Sequence, residues 1–98
     1  MVSKTLTVKN AQGFHMRPAT VFAGAMGKFD SQITLEVGQK KVDGKSVMNL
    51  IAACIKCGAT VTVCCDGADE QAALDTAVEL IESGFGEGLI NFVAHLKI

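Results

Sequence analysis

Two kinds of apolar periodicity take turns along this chain, and their order leaves few folds open. Val2, Leu6 and Val8, with Lys4 among them, alternate with Ser3, Thr5 and Thr7, the period of a strand with one buried face. Ile33, Leu35 and Val37 alternate in the same way with Thr34 and Glu36, as do Val61, Val63 and Cys65 with Thr60, Thr62 and Cys64. In the intervening stretches the spacing changes. Val21, Phe22, Ala25, Met26 and Phe29 form one helical stripe, and Leu74, Ala77, Val78 and Ile81 another. Gly38-Gln39-Lys40-Lys41 offers a tight reversal into a short strand, Lys41-Val42-Asp43. Ser46 opens a short helix predicted to run to about Ala53, with Gly58 as its stop. Asp69 is the expected N-cap of the last helix, with Glu70 in its first turn and Gly84 beyond its end. The predicted order is β-α-β-β-α-β-α. Antiparallel strands covered by helices on one face make an α+β open-faced β-sandwich, and 98 residues support a single core.

Composition narrows what such a domain can do. A net charge of −1 and a pI near 6.0 lack the cationic excess that binding to a phosphate backbone exploits, so no nucleic acid partner is expected. No stretch approaches the roughly 20 apolar residues of a membrane span. The polar start Met1-Val2-Ser3-Lys4-Thr5 has no signal-peptide apolar region, which predicts a cytoplasmic protein with no membrane partner. With five Phe and neither Trp nor Tyr, the core must be mainly aliphatic. No G-x-x-x-x-G-K-[ST] loop is present, so the chain is not expected to phosphorylate itself from ATP, and no cofactor is predicted.

The chemistry concentrates in Gly13-Phe14-His15-Met16-Arg17-Pro18-Ala19-Thr20. Gly13 permits a sharp turn, and Pro18 fits a first helical turn because amides there have no intrahelical acceptor, so a helix is predicted to begin at Met16. His15 then stands at the N-cap, beside the amides of Met16 and Arg17 and the positive end of the helix dipole. Neutral imidazole is a nucleophile at physiological pH, and its phosphorylated form remains a donor. Arg17 and the helix amides can balance the charge of a phosphoryl group, the guanidinium through a planar fork that Lys lacks. The bland reading is a polar cap beside a solvated charge.

This octapeptide closely resembles the active-site motif of HPr, the histidine-containing phosphocarrier of the bacterial phosphoenolpyruvate:sugar phosphotransferase system. Gly44-Lys45-Ser46-Val47-Met48-Asn49-Leu50 resembles a second signature of that family, and Val61 to Glu70 a third; together they span roughly residues 1–86. Met16 and Asn49 depart from the family's usual Ala and Gly, as do the four cysteines and the apolar tail. The resemblance implies sheet order 1-4-2-3. It also implies that His15 accepts a phosphoryl group from enzyme I and passes it to enzyme IIA domains, with Arg17 stabilising charge. Ser46 matches the regulatory serine of Gram-positive HPr, which implies an HPr kinase/phosphorylase and a transcription regulator as further partners. Thr20, Val47, Met48 and Ile51 are the expected docking residues, with core packing as the other role open to Ile51. A purely regulatory module acting through Ser46 is the alternative, and a thiol or metal protein a third.

Cys54-Ile55-Lys56-Cys57 and the adjacent Cys64 and Cys65 suggest a metal or redox site at first sight. Cys57 and Cys64 lie on a largely extended segment spanning about 23 Å at roughly 3.3 Å per residue, and neighbours on a strand face opposite ways, so one tetrahedral metal cannot gather all four. No metal is predicted; thiols behave as small hydrophobes common in reduced cores, with Cys65 expected to face the core and Cys64 to face out. The chain divides into an HPr-like domain, 1–86, and an apolar extension, 87–98. Leu89, Phe92, Val93 and Leu96 in that extension form a helical stripe, with Glu87, Asn91 and His95 on its wetter side. Gly84, Gly86 and Gly88 read as a flexible joint that lets this tail fold back on its own domain, against the open sheet face, or reach a neighbouring subunit.

Overall fold

The computed structural model describes residues 1–10 and 13–86, and within them each alternating run becomes a strand. The strands are β1 (Val2–Thr7), β2 (Gln32–Val37), β3 (Lys40–Asp43) and β4 (Thr60–Asp66); the helices are α1 (Met16–Met26), α2 (Val47–Ala52) and α3 (Glu70–Glu82). A single 3₁₀ turn, Gly84–Gly86, follows α3. The sheet is antiparallel in the order β1-β4-β2-β3, as the family resemblance implied. β4 is paired on both edges: Val63 lies opposite Lys4 of β1 and opposite Leu35 of β2. The β2–β3 hairpin closes through Gly38 and Gln39, with Val37 opposite Lys40, so the second strand starts one residue earlier than predicted.

Register sorts the residues by face. Leu6, Ile33, Leu35, Val42, Val61, Val63 and Cys65 are buried under the helices. Thr5 and Thr62 meet on the opposite face through their hydroxyls at 2.9 Å, flanked there by Ser3, Thr34, Glu36 and Cys64. That face is polar in its described part. The tail expected to cover it lies outside the described residues.

Helix α1 is rotated from its predicted stripe. Pro18, Ala19, Phe22, Ala23 and Met26 are buried, whereas Val21 is exposed and Ala25 and Phe29 are half-buried. Ala19 and Ala23 are small enough to lie close against the layer beneath, and this puts the centre of the contact between them and Phe22. α3 follows its stripe, burying Ala73, Leu74, Ala77 and Ile81 with Val78 at the margin.

Two helix ends differ from expectation. α2 ends at Ala52, within a residue of the predicted end, but the left-handed residue that first turns the chain out is Cys54, with φ of +56°, ahead of the expected Gly58. Ile55 must reach the core immediately afterwards, where it is 3% exposed, so the helix has no room to continue. At the start of α3, Asp69 occupies the cap position but makes no capping bond to the helix. Its carboxylate accepts the N–H groups of Asp30 and Ser31, each at 2.9 Å, and the Ser31 hydroxyl. Glu70 secures the first turn instead, by accepting the Gly67 N–H at 3.2 Å.

Asp69 thereby ties α3 to the connection between α1 and β2, and the Ser31 hydroxyl with the two amides holds its carboxyl below the usual carboxylate range. As pH falls, the unfolded chain takes up the proton first. The stabilisation is therefore complete above the ordinary carboxylate pKa and drains away below it. Asp69→Asn is expected to lower the melting temperature by several degrees at neutral pH and to flatten the acid limb of stability. Thermal unfolding of both proteins across the acidic range checks this, with an unchanged acid limb as the contrary result.

Candidate functional site

The loop that delivers His15 to the start of α1 is held from three sides. The Asn10 amide group donates to the Gly13 carbonyl at 2.6 Å, and the Gly13 N–H donates back to the Asn10 carbonyl at 3.0 Å. The Phe14 N–H donates to the Ile55 carbonyl at 2.8 Å, which joins this loop to the connection between α2 and β4. The Phe14 ring is 3% exposed and meets Phe22 and Phe85 edge-on, with centroids 5.6 and 4.9 Å away. Such aromatic pairs contribute about 0.5–1.5 kcal/mol beyond the area they bury. Gly13, at φ of +64°, packs so tightly on this connection that a Cβ would fall 2.7 Å from the Lys56 Cα.

His15 is the N-cap of α1 in extended backbone geometry, and its carbonyl accepts the Ala19 N–H at 3.0 Å, so the helix starts at Met16 as predicted. Its ring is half-buried and makes no capping bond to the helix. Pro18 contributes no N–H, and this leaves the amides of Met16 and Arg17 as the donors at the helix start for which the helix has no acceptor. The first turn holds no acidic residue that would compete for that positive end. Arg17 is exposed and forms no ion pair among the described residues. A cap, two amides and an exposed guanidinium thus stand within three residues, a set that fits a tetrahedral dianion.

The remaining predicted residues lie on α1 and α2, which pack against each other. The Thr20 hydroxyl, though exposed, donates to the Met16 carbonyl at 2.7 Å. Met16 is 66% and Met48 75% exposed, so these two present apolar surface to solvent. Val47 and Ile51 are half-buried and pack on the core, so the packing role left open for Ile51 holds for both. Ser46 caps α2, its hydroxyl accepting the Asn49 N–H at 3.2 Å, and Asn49 itself is exposed.

Asn10, Ile55 and Phe85 escaped sequence reasoning. Asn10 is a turn-former three residues before Gly13, a signal that was readable. Ile55 acts through its carbonyl, which no side-chain pattern reports. Phe85 follows Gly84 in the segment read as a flexible joint, yet Gly84 is buried beside Asn10, and Phe85, itself at φ of +58°, packs on Phe14 and Phe22. The cysteines split. Cys65 is buried and pushed up to about 11 by that burial, and Cys64, raised by partial burial and by Glu36, lies on the other face. Cys54 and Cys57 are exposed. Among the described residues no three of His, Cys, Asp and Glu sit together as metal ligands would. No helix among them is long and apolar enough to cross a membrane.

Comparison with known proteins agrees with this geometry. The family described as "PTS HPr component phosphorylation site" matches residues 2–83. The HPr-like protein Crh of Halalkalibacterium halodurans is 39% identical, over 84% of this chain and 98% of its own length. The phosphocarrier protein HPr of Cupriavidus necator is 36% identical, over 90% of this chain and 99% of its own. Among solved structures, HPr-C-His from Thermoanaerobacter tengcongensis superposes with a TM-score of 0.86 at 41% identity, covering 89% of this chain and 98% of that one.

The closeness of Gly13 to the Ile55-Lys56 backbone yields a test of how the loop is held. Gly13→Ala places a Cβ against main chain that cannot swing away, in a left-handed conformation that itself costs about 1–2 kcal/mol. Stability is expected to fall by at least about 2 kcal/mol in denaturant unfolding, and protection of the Phe14 amide from hydrogen exchange to fall by more than global unfolding explains. An unperturbed Phe14 amide would show that the loop is positioned by something else.

Proposed function

This chain belongs to the HPr family of phosphocarriers of the bacterial phosphotransferase system, and on that premise we propose that His15 is the residue on which its phosphoryl group travels. The observation that carries the proposal is the place of His15 at the cap of α1, beside the amides of Met16 and Arg17, with the Arg17 side chain exposed two positions on. A ring nitrogen attacks phosphorus on phosphorylated enzyme I; the new P–N bond forms as the bond to the donor breaks. The reverse step delivers the group to an enzyme IIA domain.

Each element has a defined electrostatic part in this reading. The Met16 and Arg17 amides meet the phosphoryl oxygens without reorganisation, since they are fixed by the helix and face no competing acceptor within it. The exposed Arg17 can follow the group as it passes between proteins, and its fork matches two phosphoryl oxygens at once. Met16 and Met48 offer adaptable apolar contacts, which suit a carrier that must dock on more than one partner. Val47, Ile51 and Thr20 support that surface from below and beside it.

Ser46 supports a second, regulatory reading. Its hydroxyl already lies at a helix N-terminus, where the roughly two negative charges of a phosphate are tolerated. One of the curated relatives carries the name HPr-like rather than HPr. In this reading an HPr kinase/phosphorylase modifies Ser46, and the modified form binds a transcription regulator.

His15→Ala is expected to fold normally, with stability changed by no more than about 1 kcal/mol, and to lose phosphoryl acceptance from enzyme I and phosphoenolpyruvate. Acid-labile phosphate on that variant contradicts the proposal. Arg17→Lys should keep the fold while slowing transfer in at least one direction, and equal rates in rapid-quench assays would remove Arg17 from the mechanism. Ser46→Asp should preserve stability, because Asp also caps well, and weaken transfer from enzyme I in a way that added salt relieves. Salt-independent, undiminished transfer would count against an electrostatic role for Ser46.

A further inference from the structure

Two exposed thiols remain unaccounted for by the carrier chemistry, and they flank the backbone that holds the His15 loop. Cys54 and Cys57 are both exposed and free, separated by Ile55 and Lys56. The Ile55 carbonyl accepts the Phe14 N–H at 2.8 Å, and Gly13 lies against Ile55 and Lys56. On its other side the segment is laced to the end of β1. The Val8 N–H donates to the Ala59 carbonyl, the Gly58 N–H to the Val8 carbonyl, both at 2.9 Å, and the Cys57 thiol points at the Lys9 carbonyl, 3.9 Å away. The Cys54-to-Cys57 segment is therefore a bridge clamped between the β1 end and the active-site loop.

We propose that Cys54 and Cys57 are a covalent modification site, a dithiol whose oxidation to an intramolecular disulfide slackens the His15 loop. The proposal rests on the carrier role of His15. Its geometry is specific. Cys54 leaves α2 through left-handed backbone, and Lys56 to Ala59 form a turn closed by the Ala59 N–H on the Lys56 carbonyl at 3.0 Å, so Cys54 and Cys57 are each held by a separate turn with Ile55 between them. A disulfide demands Cα atoms within about 7 Å and one defined set of side-chain dihedrals. Meeting that geometry requires the backbone between the two turns to adjust, and the peptide that lies there is that of Ile55, whose carbonyl anchors Phe14. Cys54 is the most strained of the four residues, at φ of +56°, and a change of backbone there releases strain as the carbonyl departs.

The chemistry is ordinary thiol–disulfide exchange with a low-molecular-weight disulfide such as glutathione disulfide. The thiolate of one cysteine attacks a sulfur of the oxidant, forming a mixed disulfide and expelling one glutathione thiolate. The second cysteine then gives up its proton and displaces the other. Two protein thiols become one disulfide, and glutathione disulfide leaves as two reduced glutathione molecules. Cys65 is buried and Cys64 half-buried, and adjacent strand residues point to opposite faces, so neither replaces Cys54 or Cys57 as a partner.

The test compares the full chain, reduced and after incubation with glutathione disulfide. Two readouts are used: amide hydrogen exchange at Phe14, which needs no phosphoryl chemistry, and the rate of phosphorylation by enzyme I. The expected product is a Cys54–Cys57 disulfide identified by peptide mapping. Phe14 protection should be lost, and phosphoryl acceptance should fall by about tenfold, inside the range of couplings between protein sites, with recovery on reduction. Cys57→Ser, an exposed and nearly isosteric change, should take no bridge and keep its rate under oxidant. Cys54→Asn, which tolerates the left-handed backbone, should behave alike. A reduced protein that enzyme I does not phosphorylate sinks the carrier reading, with the exchange result still deciding the modification. Two glutathione adducts without a bridge, or a bridge that leaves Phe14 protected and the rate unchanged, overturn the proposal.

Discussion

One backbone hydrogen bond, from the Phe14 N–H to the Ile55 carbonyl, joins the parts of this molecule that matter to its function. It fastens the start of α1 to the connection between α2 and β4. Ile55 in turn is fixed because its side chain enters the core and because the residues after it pair with Val8. The sheet thus reaches the histidine through three short steps: β1 to the Gly58-Ala59 turn, that turn to Ile55, and Ile55 to Phe14. Gly13 is indispensable to the last step, since a side chain there meets main chain. The Phe14 ring, set among Phe22 and Phe85, fills the space beneath the loop, so that His15 emerges at the cap with its approach to the helix already decided.

The electrostatics follow from that position and require little further apparatus. An α-helix beginning His-Met-Arg-Pro offers two amides, the imidazole before them and a guanidinium among them. No carboxylate occupies the first turn. The acidic residues that the chain spends on structure sit elsewhere: Asp69 on Asp30 and Ser31, Glu70 on Gly67 and the N-terminus, Glu82 on Lys9. Hydrogen bonding holds all three below the usual carboxylate range, which keeps them ionised and committed to their partners at neutral pH. None of the three lies in the first turn of α1. α2 likewise has no acidic residue in its first turn, but there the Ser46 hydroxyl caps the helix by accepting the Asn49 N–H.

Much of this was legible in the sequence, because it depended on periodicity and on residues with narrow conformational preferences. The strands declared themselves by strict alternation, and their inner faces are those observed. Pro18 and His15 placed the start of α1 to the residue, and Ser46 that of α2. What was not legible depended on tertiary contact. Nothing local distinguishes an Asp that caps its own helix from one that reaches across to Ser31, and Asp69 does the latter. Cys54 ends α2 in a left-handed turn that propensity assigns to Gly, since the demand to bury Ile55 overrides it. The rotation of α1 reflects the close approach allowed by Ala19 and Ala23, visible only once the surface beneath is known. Phe85 was hidden by the glycines on either side of it, which suggested looseness where the chain is packed.

The proposal that a phosphoryl group on His15 is held by the first amides of α1 can be read directly from backbone chemical shifts. Nitrogen-15 and proton spectra of the uniformly labelled protein, recorded before and after phosphorylation by enzyme I and phosphoenolpyruvate, report every amide that gains a charged acceptor. The account predicts that the Met16 and Arg17 amide protons move downfield together with the His15 ring resonances, and that Asn49 and the amides at the start of α2 stay in place. A phosphoryl group located on another residue, or a phosphorylated His15 whose neighbouring amides do not move, would contradict it.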